Sequence, residues 1–390
     1  MSERELSPTD ALFNIMSTLH TLGLSAVTRY TTPSKLVATA ELFDDDDNFV
    51  ESGAGKGRDS LIGALAESIE HFSTFQPLAD APIRYRSDKI AIQKAVTEDG
   101  IFTSLPRTEK LIECFRLTSL NNNEELFAPC ILLCPETTKI VHEDSNSALR
   151  FLSRYSSNSG IAFGCTANEA LLHGTHETIE RHILSLFYMA VCGIGPVMDL
   201  YTPSTALLET ALTSHPAALA SANKLQVIII KDVLSVYFAV AFPKAGPGAH
   251  HLSPIGSGCS LDIHTAIQRA VTEQFQSEDL YDAVEESIDR ETFDLLSKSR
   301  HLKHLIDFAP VIRTTLPIID TPTHIGSMTV SAQLEMLQKN LSNKGMQLFH
   351  RTVARFSDNS IVTQAYVPGL ERFNIIRNGR LVVPQHVLRG

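Results

Sequence analysis

The sequence is short of long apolar runs, of cysteine and of basic residues, and each shortage removes a class of protein. Its longest strongly apolar stretch without a charge, Ile183 to Met198, contains Gly193, Gly195 and Pro196. A membrane-spanning helix needs about 20 apolar residues, so this stretch reads as a buried helix that stops at those breakers, and no membrane association is expected. Six cysteines scattered through 390 residues exclude a disulfide scaffold and fit a reducing compartment. Lys and Arg total 33 against 44 Asp and Glu, a net charge of −11 that repels polyanions, so no nucleic-acid partner is expected. The opening MSERELSPTD has no basic-then-apolar signal pattern, which points to a cytoplasmic protein.

What is present is a globular composition, 43% hydrophobic and 20% charged, in a chain long enough for a substantial core. Apolar spacing predicts a helix over Thr9 to Leu24, with Asp10 near its start as a cap. Lys35 to Leu42 alternates and, with a second extended run toward Gly53, predicts a hairpin whose solvated tip is Asp44 to Asp47. Gly53-Ala54-Gly55-Lys56-Gly57 leads into a helical pattern from about Ser60 to Phe72. A glycine turn at a helix start favours phosphate, although Gly57 directly after Lys56 departs from a Walker A loop. Phe127 to Cys134 reads as an apolar strand, and Ala167 to Met189 and Asp262 to Gln276 read as helices. Leu225 to Phe242 reads as two strands paired around Lys231-Asp232. A charged helical region over Leu280 to Leu316 and strands over Gln347 to Val367 complete a mixed α/β body.

Acidic and basic residues recur on single helix faces in three separate segments. Glu67 and Glu70 stand at i and i+3 beside an apolar stripe of Leu61, Leu65, Ile69 and Phe72. Glu169, His173, Glu177 and Glu180 form one line along a second helix. Arg269, Glu273 and Gln276 do so on a third, backed by Ala266, Ile267, Ala270 and Val271. Carboxylates at such spacing repel one another unless cations neutralise them. One pair alone reads as a solvated helix face, whereas three helices with the same habit argue for convergence on magnesium and phosphate, with Arg181 and Arg269 as phosphate grips. A zinc-protease reading of His176-Glu177-Thr178-Ile179-Glu180 fails, because Glu180 stands where the second histidine is required. Cys130 and Cys134 are too few for a cysteine zinc site and read as buried packing. Gly256-Ser257-Gly258 has the wrong spacing for a serine nucleophile elbow.

At these residues the sequence resembles the YcaO family. The blocks are SGAGKGRDSLIGALAESIEHF, SSNSGIAFGCTANEALLHGTHETIERHILSLF and PIGSGCSLDIHTAIQRAVTEQFQ, followed by Val367-Pro368-Gly369. The resemblance implies an α/β fold, mixed α+β, with mixed sheets and acidic helices around a nucleotide site. It also implies a single domain over 1–390: an N-terminal helix and hairpin over 1–50, an ATP- and magnesium-binding core over 51–280, and a C-terminal region over 281–390. The implied activity is ATP-dependent activation of a peptide backbone amide by phosphorylation. Cyclodehydration of Cys, Ser or Thr to thiazoline or oxazoline in a ribosomally made precursor peptide leads. Thioamide formation with a TfuA-type partner, or a non-catalytic nucleotide-binding scaffold, are the alternatives.

Carried over by position, Glu67, Glu70, Glu177 and Glu180 would hold magnesium and, with Arg181, form the catalytic set. Glu169, Arg181, Arg269, Glu273 and Gln276 would contact ATP, and Lys56, in the glycine turn, is a further cofactor-binding candidate with a phosphate or structural role. Gly63, Ser159, Cys165 and His71 depart from the usual residues, while the four metal carboxylates are intact. The tail Val383-Pro384-Gln385-His386-Val387-Leu388-Arg389-Gly390 is not Pro-x-Pro-x-Pro, so a catalytic terminal carboxylate is not expected. With about 50 residues before the core, too short for a fused leader-binding domain, a separate ThiF-like or TfuA-type leader-binding partner is expected, as is a homodimer.

Overall fold

The computed structural model describes residues 2–75, 82–122, 124–135, 147–244, 252, 255–321 and 326–389. Pro254 of the third block and the terminal carboxylate of Gly390 lie outside the described residues. The first helix, α1 (Pro8–Thr21), is capped by Ser7 rather than Asp10: the Ser7 hydroxyl accepts from the Asp10 N–H at 3.2 Å and donates to the Asp10 carboxylate at 2.6 Å. Pro8 then occupies a first-turn position, where its missing N–H costs no helical bond.

Strands β1 (Ser25–Tyr30), β2 (Val37–Phe43) and β3 (Phe49–Lys56) form an antiparallel sheet in that order. The expected hairpin is β2–β3, and β1 extends it. The aspartate cluster is the tip, where the Asp44 carboxylate accepts from the backbone of Asp46 and Asn48. Helix α2 (Ser60–Phe75) lies directly on β3. A Cβ on Gly55 would sit 1.7 Å from the Ser60 carbonyl oxygen and one on Gly53 would sit 2.4 Å from the Ser68 nitrogen. These glycines therefore serve helix-on-strand contact. The expected phosphate turn is mostly strand, and only Gly57, at φ +82°, turns the chain.

A second sheet joins β4 (Ile83–Arg86), β5 (Leu111–Ser119), β6 (Glu125–Pro129) and β7 (Ile161–Gly164) with two strands from near the C-terminal end. The strand expected over Phe127 to Cys134 ends at Pro129, and Cys130–Leu133 form a buried helical turn. A short apolar run does not by hydrophobicity alone distinguish a buried strand from a buried turn of helix. Helix α3 (Ala167–Cys192) begins at a Thr166 cap and ends where Gly193 adopts a left-handed conformation, so the long apolar stretch does stop at its breakers.

Strands β8 (Leu225–Val233), β9 (Val236–Pro243) and β10 (Gly256–Ser260) make another antiparallel sheet, on which α4 (Ile263–Asp279) packs. The turn falls at Leu234-Ser235, both at positive φ, and not at Lys231-Asp232, which belong to β8 beside a register shift between Val236 and Phe238. The first and third sheets thus repeat one plan. Gly53 faces the Ala64 carbonyl and Ser68 nitrogen as Gly256 faces the Ala270 carbonyl and Gln274 nitrogen. Counting along the helices from Ala64 and Ala270 matches Glu67 with Glu273, Glu70 with Gln276, and Gly63 with Arg269.

Helices α5 (Ala283–Ser297) and α6 (Val330–Ser342) follow, and the chain returns through β11 (Phe349–Arg355) and β12 (Ile361–Tyr366) to the second sheet, where β12 lies between β11 and β7. Separate hydrophobic clusters underlie the two repeated units, and a larger one joins the second sheet to α3. Among the described residues no helix is long and apolar enough to cross a membrane. All six cysteines are buried, Cys130 and Cys134 included, and none is joined to another by a disulfide.

Candidate functional site

Helix α3 runs through the interior instead of lying on the surface, so its polar line faces protein: Glu169 is 2% exposed and Glu180 8%. This removes the solvated-face reading for that helix. Lys56, Glu67, Glu70, Glu177, Glu180, Arg181, Arg269, Glu273 and Gln276 all line one cavity of about 440 Å³, at the meeting of β3, α2, α3 and α4. Glu169 lines an adjoining cavity of about 480 Å³ that also meets Lys56, Glu67, Glu70 and Arg269. The structure therefore brings together every charged residue singled out from the sequence.

One oxygen of each acidic side chain is fixed by the protein. Glu67 accepts from the Ala54 N–H at 2.6 Å and Glu70 from the Phe163 N–H at 2.7 Å. Glu177 accepts from the Gly160 N–H at 3.1 Å, and Glu180 from the buried Ser257 hydroxyl at 2.6 Å. The second oxygens of Glu67, Glu70 and Glu180 have no hydrogen-bond donor among the described residues. Lys56 pairs with Glu273 and so links β3 to α4. Arg181 lies 3.7 Å from Glu177 one turn earlier on α3.

Burial and neighbouring charges shift Glu70, Glu177 and Arg181. Burial, aided by the charges of Glu67 and Glu177, raises Glu70 well above the ordinary carboxylate range. Burial likewise raises Glu177, with Glu180 and Glu273 adding to it and Arg181 opposing. Burial works against the charge on Arg181, but Glu177, Glu180 and Glu273 outweigh it and strengthen its hold on the proton. His173 is pushed down to about 3 by burial and by Arg269, so it is neutral and its Nδ1 accepts from Arg269 at 3.3 Å.

A cluster of acids, two of which (Glu70 and Glu177) resist ionisation, each with an oxygen held by the protein, suits a hard cation with oxygen ligands. No three acidic, histidine or cysteine side chains among the described residues stand close enough to hold a metal by themselves, so ligand oxygens from elsewhere are needed to complete a shell.

Residues departing from the family pattern have local roles. His71 bonds the Ser52 carbonyl at 2.8 Å, and the Ser159 hydroxyl bonds that of Ser157 at 2.7 Å. A Cβ on Gly63 would approach the Gly55 Cα at 3.3 Å, and Cys165 lines the adjoining cavity. Three residues in or behind the site were not singled out from the sequence: Ser257, Glu3 and Arg4. Ser257 sits between glycines that drew attention only for the wrong motif. Glu3 and Arg4 precede a helix in a stretch whose charge alternation looks solvated, and no local pattern marks them.

The family model for the YcaO cyclodehydratase, ATP- and Mg²⁺-binding, matches residues 53–371. None of the curated proteins compared with the chain matches it. Among solved structures the chain is similar to a heterocyclase in complex with substrate and cofactor, with 18% identity and a TM-score of 0.65 over 98% of this chain. The match spans only 56% of that heterocyclase's length. A YcaO from Methanopyrus kandleri bound with AMPPCP and Mg²⁺ is matched with 16% identity and a TM-score of 0.62, over 97% of this chain and 95% of that one. The E. coli microcin synthetase McbBCD complex is matched with 16% identity and a TM-score of 0.52, over 88% of this chain and 86% of that one. With a family model covering most of its length and a mixed α+β fold shared with these structures, the chain belongs to the YcaO family, which binds ATP and Mg²⁺.

Proposed function

We propose that this protein uses ATP and Mg²⁺ to activate a backbone amide of a ribosomally made precursor peptide, and that the product is a thiazoline or oxazoline. The observation that carries the reading is the single cavity on which Glu67, Glu70, Glu177 and Glu180 converge with Lys56, Arg181 and Arg269. Glu67 and Glu70 would hold Mg²⁺ from α2, and Glu177 and Glu180 from α3. Arg181 and Arg269 would face phosphate oxygens, and Glu169, Glu273 and Gln276 would contact the rest of the nucleotide. When bound, ATP with Mg²⁺ supplies a transferable phosphoryl group whose charge is spread over cations.

The protein's own contribution is to position and to neutralise. A peptide thiol or hydroxyl would give up its proton and add to the preceding carbonyl, the oxygen so charged would take the terminal phosphoryl of ATP with release of ADP, and phosphate would leave as the carbon–nitrogen double bond forms and the amide nitrogen loses its proton. Over that sequence Arg181, held between Glu177 and the cavity, faces the developing negative charge. The neighbours include the microcin synthetase McbBCD complex, which supports a separate partner subunit; a ThiF-like or TfuA-type leader-binding identity for it, and a homodimer as the working unit, are part of the proposal. The test is to incubate the protein with ATP, Mg²⁺, the precursor peptide and its partner and to weigh the peptide. Loss of one water per ring is expected. A gain from oxygen-to-sulfur exchange would assign thioamidation instead, and an unchanged mass would assign a scaffold.

A further inference from the structure

The segment Ser2–Glu5 is built into the wall behind the site. Glu3 is 6% exposed, and its carboxylate accepts from the Ser260 hydroxyl at 2.6 Å and from the Arg269 guanidinium, with the His176 imidazole 3.4 Å away. Its neighbours are fastened on either side. The Gln333 side chain donates to the Ser2 carbonyl at 2.7 Å, the Arg4 guanidinium lies 3.8 Å from Glu169, and the Glu5 carboxylate accepts from Thr166 at the start of α3. Arg269 donates from Nη1 to the Cys259 carbonyl at 2.9 Å and from Nη2 to Glu3 and to His173. Its Nε–H and one Nη1 hydrogen have no acceptor among the described residues, and Arg269 itself lines the cavity.

We propose that Glu3 is a positioning residue that fixes the Arg269 guanidinium from behind, so that its remaining N–H groups are left for phosphate oxygens in the cavity. This rests on the reading of Arg269 as a nucleotide contact. Glu3 does not line the cavity and Arg269 does, so Glu3 acts through the arginine. Burying a carboxylate is costly unless it is paired and bonded. Here the pairing spends that cost on one guanidinium, and Ser260 locks the Glu3 rotamer. An arginine anchored at both terminal nitrogens loses less freedom on meeting an anion than one that swings freely.

The experiment measures AMPPCP affinity in the presence of Mg²⁺ by calorimetry for the full chain and for E3A, E3Q, S260A, R269K and E3A/R269K, each checked for folding by circular dichroism and thermal melting. E3A is expected to weaken binding about tenfold and E3Q about twofold to threefold, because an amide oxygen still accepts from Arg269. E3A is expected to add nothing on top of R269K, as for residues that act through one another. If E3A does not fold, E3Q and S260A carry the test, with S260A weakening binding about twofold to threefold in the parent and adding nothing in an S260A/R269K double variant. Parent-like affinity in the folded Glu3 variants, or losses that add to that of R269K, would overturn the proposal while leaving the role of Arg269 standing. Parent-like binding by R269K would instead remove the nucleotide role of Arg269 on which the proposal depends.

Discussion

The sheet of β1 to β3 with α2 and the sheet of β8 to β10 with α4 are built alike and charged differently. In each, a glycine pair on the last strand lets the following helix lie on the backbone, and the matched helix positions then line the same two adjoining cavities. On α2 those positions are Gly63, Glu67 and Glu70, and on α4 they are Arg269, Glu273 and Gln276. At these positions α2 brings acids and no base, whereas α4 brings an arginine and replaces one acid by an amide. A single backbone plan thus presents a cation-seeking wall and an anion-seeking wall to one space, with α3 between them supplying both kinds of side chain. The lesson is that the packing glycines, not the charged residues, fix where those walls stand.

The difference can be broken or sharpened experimentally, and the largest effect is expected at the acids. E70Q or E177Q should lower product formation by about 100-fold or more, as loss of a charged group acting on a transferring phosphoryl does. Titrating Mg²⁺ should show the loss on the cation side, while E273Q on the other wall should weaken nucleotide binding even with Mg²⁺ chelated. Equal dependence on Mg²⁺ in both variants would dissolve the distinction.

Next come the packing glycines. G55A, whose Cβ would lie 1.7 Å from a backbone oxygen, should destabilise by about 3 kcal/mol, and G258A, at 2.4 Å, by somewhat less, read from urea unfolding midpoints. A neutral result at either would mean that helix and strand can separate without loss. A pH effect should be smaller. Glu70 and Glu177 hold protons to higher pH in the folded state than in the unfolded one, so the native protein binds more protons just above the ordinary carboxylate range. Ligand-free stability should therefore fall as pH rises through that window, and E70Q should flatten the fall in a thermal-melt series. A flat parent profile would contradict the burial argument. The smallest effect belongs to the link between the units. The pair Lys56–Glu273 is partly exposed, so K56M should cost under about 1 kcal/mol of stability. A loss of nucleotide affinity larger than that would give Lys56 a phosphate role beyond bridging.

Much of this arrangement was legible beforehand because helix periodicity is local. The acids of α2 and α3 announce one face each by their spacing, and so do Arg269, Glu273 and Gln276 on α4. Other features depend on partners that sequence distance hides. Glu3 meets Arg269 across 266 positions, and nothing near Glu3 foretells a buried carboxylate. Gly53 and Gly55 were visible as glycines, but their use appears only when α2 folds back onto them. The turn at Leu234-Ser235 lacks the usual turn residues, which drew the expected turn to the polar Lys231-Asp232 instead. Pro129 marked a boundary inside an apolar run, and burial of Cys130–Leu133 on all sides erased the alternation that identifies a strand.

The most direct test of convergence on a divalent cation is anomalous diffraction from crystals grown with AMPPCP and Mn²⁺. The account predicts manganese peaks within the cavity between α2 and α3, bonded to oxygens of Glu67 or Glu70 and of Glu177 or Glu180, with the phosphates turned toward Arg181 and Arg269. Nucleotide and manganese bound elsewhere, with those carboxylates unligated, would contradict it.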